Sequence, residues 1–292
     1  MHLNAAQLSL EAPLHRAQLR VDPLSRVAAL TLPQDALALL PFHASQLELD
    51  ALDADTARLR EVPYAPSFVL SLPSTVDTRL RNVRDAAFLP GLSSPTLAVL
   101  CAPAADACAV LIFGLGLGRR AYPVLAAHEG LPVDAEVLVP CPAHVGGALV
   151  LGPSGLVHLG ASARRVALAE KVDLAGARAA FVGSTTALIV DRDGTSRVLT
   201  LAMDGPALGA LTLGPPVAQT PSPTLVRAVG KSQALLGSIT GDSVLINVDQ
   251  VEAEDAVETA TETVPPPQEQ PKDGMELDED AGRRSRIRPG RY

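Results

Sequence analysis

Residues 114–118, Gly-Leu-Gly-Leu-Gly, are the nearest approach in this chain to a phosphate cradle. A dinucleotide fingerprint sets G-x-G-x-x-G between a strand and a helix, so that backbone N–H groups and the helix N-terminus meet the anion. Here Gly118 arrives one place early, and residues 119–124 do not read as a helix. These are read as strand-and-turn glycines. The six histidines (His2, His15, His43, His128, His144 and His158) show no metal-ligand spacing. Cys141 and His144 form a C-x-x-H with no second pair. Gly183-Ser184 and Gly237-Ser238 lack the G-x-S-x-G elbow that exposes a nucleophilic serine. Asp191 and Asp193 precede Gly194 as in a calcium loop, but the closing glutamate is missing, and a hairpin turn fits better. The sequence therefore nominates no catalytic residue, no cofactor-binding residue and no metal ligand, and implies no cofactor.

Basic residues are the remaining chemistry. Arg119-Arg120 and Arg164-Arg165 are isolated pairs whose guanidinium forks suit phosphate oxygens. Neither joins a longer basic run, so solvated faces are the plainer reading. Arg283, Arg284, Arg286 and Arg288 are denser and are candidates for nuclear localisation or RNA contact. Cys101, Cys108 and Cys141 have no C-x-x-C spacing and are too few for a disulfide framework. They read as reduced, buried cysteines of an intracellular protein.

Charge is unevenly placed. Residues 1–248 carry 20 acids and 18 bases, so the body is nearly neutral and exerts little long-range pull on nucleic acid. Residues 249–280 hold 12 acids against Lys272 alone, and residues 281–292 hold five arginines and no acid. Aromatic residues make up 3% of the chain and Trp is absent, which argues against a base-stacking platform. No signal peptide opens the sequence, and no apolar run is long enough to cross a membrane as a helix.

Elements that could position these residues are short. From about residue 21 to 248, apolar runs of strand length alternate with Gly, Pro, Asp and Ser, among them 27–32, 36–40, 67–72, 96–101, 109–113, 148–151, 156–159, 187–190, 197–201, 234–237 and 243–248. Three pairs read as hairpins, with breaks at residues 153–155, 191–194 and 240–242. Hairpin units recurring at this spacing suggest propeller blades, though no Trp-Asp signature is present. Residues 51–61 and 162–172 are the best helical candidates because of their alanine content. From Asp249 onward the apolar pattern stops, and the composition is that of disordered chain.

Several segments carry a resemblance. Residues 80–91, Leu-Arg-Asn-Val-Arg-Asp-Ala-Ala-Phe-Leu-Pro-Gly, followed by Pro95-Thr96-Leu97-Ala98, are similar to a stretch in the large subunit of the cleavage and polyadenylation specificity factor. Val21-Asp22-Pro23, residues 37–42, residues 64–69, the hairpin around residues 146–158 and the hairpin at residues 235–243 resemble further segments of that family in the same order. The resemblance implies an all-β fold: a partial seven-bladed, WD40-like β-propeller over residues 21–248, preceded by an N-terminal segment, 1–20, and followed by a disordered acidic then Arg-rich tail, 249–292. It implies a non-catalytic nuclear scaffold in pre-mRNA 3′-end processing. Expected partners are WD-repeat and zinc-finger subunits, with RNA met through the complex and no membrane. Relatives of the same architecture serve as ubiquitin-ligase adaptors and spliceosomal subunits, which are the alternative roles; a propeller enzyme ranks below both. Family members are much longer, so the chain reads as a fragment, a truncated gene model or a reduced paralogue. An incomplete propeller would expose sticky strand edges, so the chain alone is expected to be poorly soluble.

Overall fold

The computed structural model describes residues 17–42, 66–160, 164–230, 232–239 and 241–248. They form five consecutive antiparallel sheets arranged as propeller blades. Blade 1 comprises β1 (Leu19–Val21), β2 (Val27–Leu32), β3 (Ala36–Pro41) and β4 (Phe68–Ser71). Blade 2 comprises β5 (Val83–Phe88), β6 (Thr96–Ala104), β7 (Ala107–Gly114) and β8 (Val124–Leu131). Blade 3 follows as β9 (Val137–Pro140), β10 (Ala148–Gly152), β11 (Gly155–Leu159) and β12 (Arg165–Ala167). Blade 4 is β13 (Arg178–Phe181), β14 (Thr186–Val190), β15 (Thr195–Asp204) and β16 (Ala207–Gln219). Blade 5 has three strands, β17 (Leu225–Ala228), β18 (Gln233–Gly237) and β19 (Val244–Asn247). One helical turn, α1 (Leu72–Thr75), links blades 1 and 2.

Strand order follows chain order within every blade, and the first strand of each blade touches the first strand of the next. The period-2 alternation of a strand explains the stacking. In β6, Leu97, Val99 and Cys101 pack towards blade 1, whereas Ala98 and Leu100 pack towards blade 3. In β14, Ala187 and Ile189 face blade 3, and Leu188 and Val190 face blade 5. A sheet covered on both faces needs apolar residues at every position, which is why these strands read as unbroken apolar runs. Four seams of side chains result, one between each pair of neighbouring blades.

The end blades differ. Register places Leu19, Leu30, Ala38 and Val69 in one row across blade 1, with Val21, Ala28 and Leu40 beside it. This face points away from blade 2, and Leu19 is 59% exposed. On the outer face of blade 5, Leu235 and Leu245 pair across β18 and β19, and Leu245 is 52% exposed.

Two expectations need correction or placement. The helix expected over residues 162–172 does not form in its described part. Instead, Arg165, Val166 and Ala167 pair with Leu159, His158 and Val157 as the outer strand of blade 3. Packing of Val166 against the seam between blades 3 and 4 overrides the local alanine preference. The helix expected over 51–61, the acidic segment and Arg283, Arg284, Arg286 and Arg288 lie outside the described residues.

Candidate interaction surfaces

Polar groups on the inner strands and turns tie the blades together. Asp85 on β5 is 4% exposed and joins three blades. Its Oδ1 accepts from Arg20 Nη2 of blade 1 at 2.8 Å, and its Oδ2 accepts from the Leu138 N–H of blade 3 at 2.8 Å. Arg20 Nε also donates to the Ala86 carbonyl at 2.8 Å. In the turn after β1, Arg26 donates to both oxygens of buried Asp22, at 2.7 and 2.9 Å, and reaches the Leu92 and Ser93 carbonyls of blade 2. Burial opposes ionisation of Asp22, but the hydrogen bonds from Arg26 outweigh it and hold the carboxyl below its usual range. At the opposite rim, the Asp35 carboxylate accepts from the Asn82 and Val83 N–H groups, and Glu136 accepts from the Gly176 N–H.

Two buried histidines also bind backbone, His128 between blades 2 and 3 and His158 within blade 3. His128 Nε2 lies 3.0 Å from the Gly160 carbonyl, and His158 Nε2 lies 2.9 Å from the Gly146 carbonyl. A carbonyl accepts only from N–H, so both rings carry the proton on Nε2. Both are buried, and burial lowers their pKa. Next to Gly146, Gly147 has φ +72°, and a Cβ there would stand 2.0 Å from the Leu159 carbonyl oxygen. Only glycine fits.

The residues singled out for chemistry resolve into structure. Gly114 ends β7, and Gly116 pairs with Ala121 inside the β7–β8 turn, so a strand and a turn hold these glycines and no helix follows. Asp191 and Asp193 sit in the β14–β15 turn. There the Gly194 N–H donates to the Asp191 carbonyl at 2.9 Å, and Arg197 donates to the Asp191 carboxylate at 2.7 Å. Cys101, Cys108 and Cys141 are free and buried. Burial pushes the Cys101 and Cys141 thiols up to about 12 and raises Cys108 as well, which makes all three poor nucleophiles and ligands at neutral pH. Among the described residues, no three His, Cys, Asp or Glu side chains converge to hold a metal, and no helix is long and apolar enough to cross a membrane. Arg119 and Arg120 stand in the β7–β8 turn, and Arg164 and Arg165 stand at the β11–β12 turn of the next blade, where Arg165 reaches the Glu129 carbonyl near the end of β8.

No protein-family model matches the chain. Individual relatives do. Over 80% of this chain and 19% of its own length, Protein cft1 of Neurospora crassa is 29% identical. Protein cft1 of Schizosaccharomyces pombe is 30% identical over 52% of this chain and 11% of its own. The cleavage and polyadenylation specificity factor subunit 1 of Drosophila melanogaster is 29% identical over 49% of this chain and 11% of its own. The chain is similar to proteins named cft1 and to cleavage and polyadenylation specificity factor subunit 1, and its fold is a propeller. The chain spans about a fifth or less of the length of these large-subunit relatives. Both Asp22 and Asp85 fall inside segments whose wording resembled the large subunit, Val21-Asp22-Pro23 and residues 80–91. Their role as blade clamps was not readable there, because the partners Arg20 and Leu138 lie 65 and 53 residues from Asp85.

Proposed function

We propose that this chain is a non-catalytic scaffold in pre-mRNA 3′-end cleavage and polyadenylation, acting in the nucleus. Its matches to cft1 and to cleavage and polyadenylation specificity factor subunit 1 carry the reading. The architecture supports it: buried polar groups serve as clamps between blades and build a rigid platform. On this reading the partners are the WD-repeat and zinc-finger subunits of the complex, and RNA is met through that complex. The body, residues 21–248, belongs to a seven-bladed ring. The apolar rows on the outer faces of blades 1 and 5 support blades beyond these five, because they repeat the pattern that the interior seams bury. On this reading residues 249–292 are an acidic then Arg-rich tail, with Arg283, Arg284, Arg286 and Arg288 as a nuclear-localisation or RNA-contact element.

Affinity purification of the tagged chain from nuclear extract of its own organism, read by mass spectrometry, tests this. Enrichment of polyadenylation-factor subunits supports it. Enrichment of cullin-ligase or spliceosomal components instead, or of chaperones alone, overturns it.

A further inference from the structure

The geometry points to the outer strand of blade 2 as a docking strip for an extended partner segment that carries carboxylates at both ends and apolar residues between them. β8 is the edge of its sheet, and among the described residues no strand pairs with its outer side. Its first residues, Val124 and Leu125, are exposed, Leu125 by 57%. Arg119 and Arg120 stand in the turn that feeds β8. At its other end, Arg165 donates to the Glu129 carbonyl, which brings the arginine pair of blade 3 alongside β8. From Val124 to Glu129 the strand rises about 17 Å at the usual pitch. The strip is therefore basic at its start, apolar along Val124 and Leu125, and basic again at its far end, where the Glu129 carboxylate is paired with Arg79.

The four arginines are exposed, although Arg165 already donates one N–H to the Glu129 carbonyl. Among the described residues none has a carboxylate within ion-pair distance; the described ion pairs use Arg20, Arg26, Arg79 and Arg197. Arg120 lies over the Phe68 ring, 4.8 Å from its centroid, and this contact holds the side chain beside β8. A free strand edge supplies main-chain donors and acceptors in the register that an added strand uses. The complement is a polypeptide of about six extended residues, with acids placed to meet each arginine pair.

RNA is the other polyanion that arginines suit, and three observations disfavour it. Among the described residues no exposed ring offers a stacking surface, since Phe68 and Tyr122 pack against the core between blades 1 and 2. Exposed Val124 and Leu125 between the arginine pairs match apolar side chains rather than phosphates. The body's near-neutral charge gives no long-range field for nucleic acid. The inference rests on the scaffold reading, because a scaffold must present surfaces to protein partners, and it names one such surface.

The test is fluorescence anisotropy with the full chain and a fluorescein-labelled octapeptide of two glutamates, four alternating leucines and valines, and two glutamates. Binding should weaken as salt is raised. It should weaken by about threefold for each arginine removed, as in Arg119→Ser and Arg164→Ser, and also on Leu125→Ser. A peptide with glutamine in place of glutamate should bind more weakly. The urea midpoints of all variants should match the parent, since every substitution is at an exposed position. Absence of binding, an affinity indifferent to the arginine substitutions, or tighter binding of an oligouridylate of equal charge would each overturn the assignment. None of these outcomes bears on recovery of polyadenylation subunits from extract, so the two readings fail separately.

Discussion

Replacing Asp85 with alanine should cost far more than its single negative charge suggests. The substitution strips the Leu138 N–H of its acceptor inside the seam between blades 2 and 3. It also leaves Arg20, only 26% exposed, without its carboxylate. A buried donor left unpaired costs about 1–3 kcal/mol, and breaking a buried charge pair by removing one partner costs about 3–5 kcal/mol. These overlap, so the expected loss is about 4 kcal/mol. At about 2–4 °C per kcal/mol for a domain of this size, Tm should fall by roughly 12 °C. Asp77→Ala is the matched control: Arg79 and Asp77 also meet at 2.8 Å, but at 39% and 19% exposure. An exposed pair contributes about 0–1 kcal/mol. Urea titration followed by circular dichroism should show a much lower midpoint for Asp85→Ala, with an unchanged slope, and a midpoint near the parent for Asp77→Ala. Equal losses for the two variants would refute the argument that burial and three-blade bridging, rather than the ion pair itself, set the cost.

Other outcomes follow from the same structure. His128 and His158 have folded pKa values below the ordinary 6.5, so the unfolded chain takes up protons first as pH falls; stability should be flat above about pH 7 and decline below 6.5, by at most about 1.4 kcal/mol per pH unit per histidine. His158→Gln keeps an N–H in reach of the Gly146 carbonyl and should reduce that slope in urea titrations repeated across pH 5–8. Gly147→Ala should disrupt the β9–β10 turn, because its Cβ would sit 2.0 Å from a backbone oxygen, whereas Gly146→Ala, with nothing within 4 Å, should cost only the left-handed backbone strain of about 1–2 kcal/mol; thermal melts compare the two. Iodoacetamide at pH 8 should leave Cys101, Cys108 and Cys141 unmodified in the folded chain and alkylate all three in urea, as intact-mass measurement would show.

What was legible in the sequence was the apolar interior. β6, β7, β10 and β14 are buried on both faces and read as unbroken runs of Val, Leu, Ile, Ala and Cys. β8 was missed: Val-Leu-Ala-Ala-His-Glu-Gly-Leu mixes residues of low strand propensity and lies half in solvent at a sheet edge. β16 hid for a similar reason, since its final residues, including Pro215 and Pro216, are mostly exposed. The strand at 165–167 was masked by neighbouring alanines. The polar clamps were illegible because they join residues tens of positions apart, and nothing local marks Asp85 as different from Asp77. That the two arginine pairs flank β8 was equally illegible, because they come from turns of different blades tens of residues apart.

Among the described residues, each interior sheet packs mainly against the sheet before it and the sheet after it, so these five sheets behave as a short linear array with nearest-neighbour coupling. Blades 2, 3 and 4 each belong to two seams, and blades 1 and 5 to one. Cooperativity should therefore be graded along the row. Amide exchange should be slowest in β6, β7 and β10 and fastest in β1 and in β17, β18 and β19. Closing such a row into a ring gives every sheet two neighbours and abolishes the weak ends, so the last sheet to dock in a ring stabilises the first as much as itself.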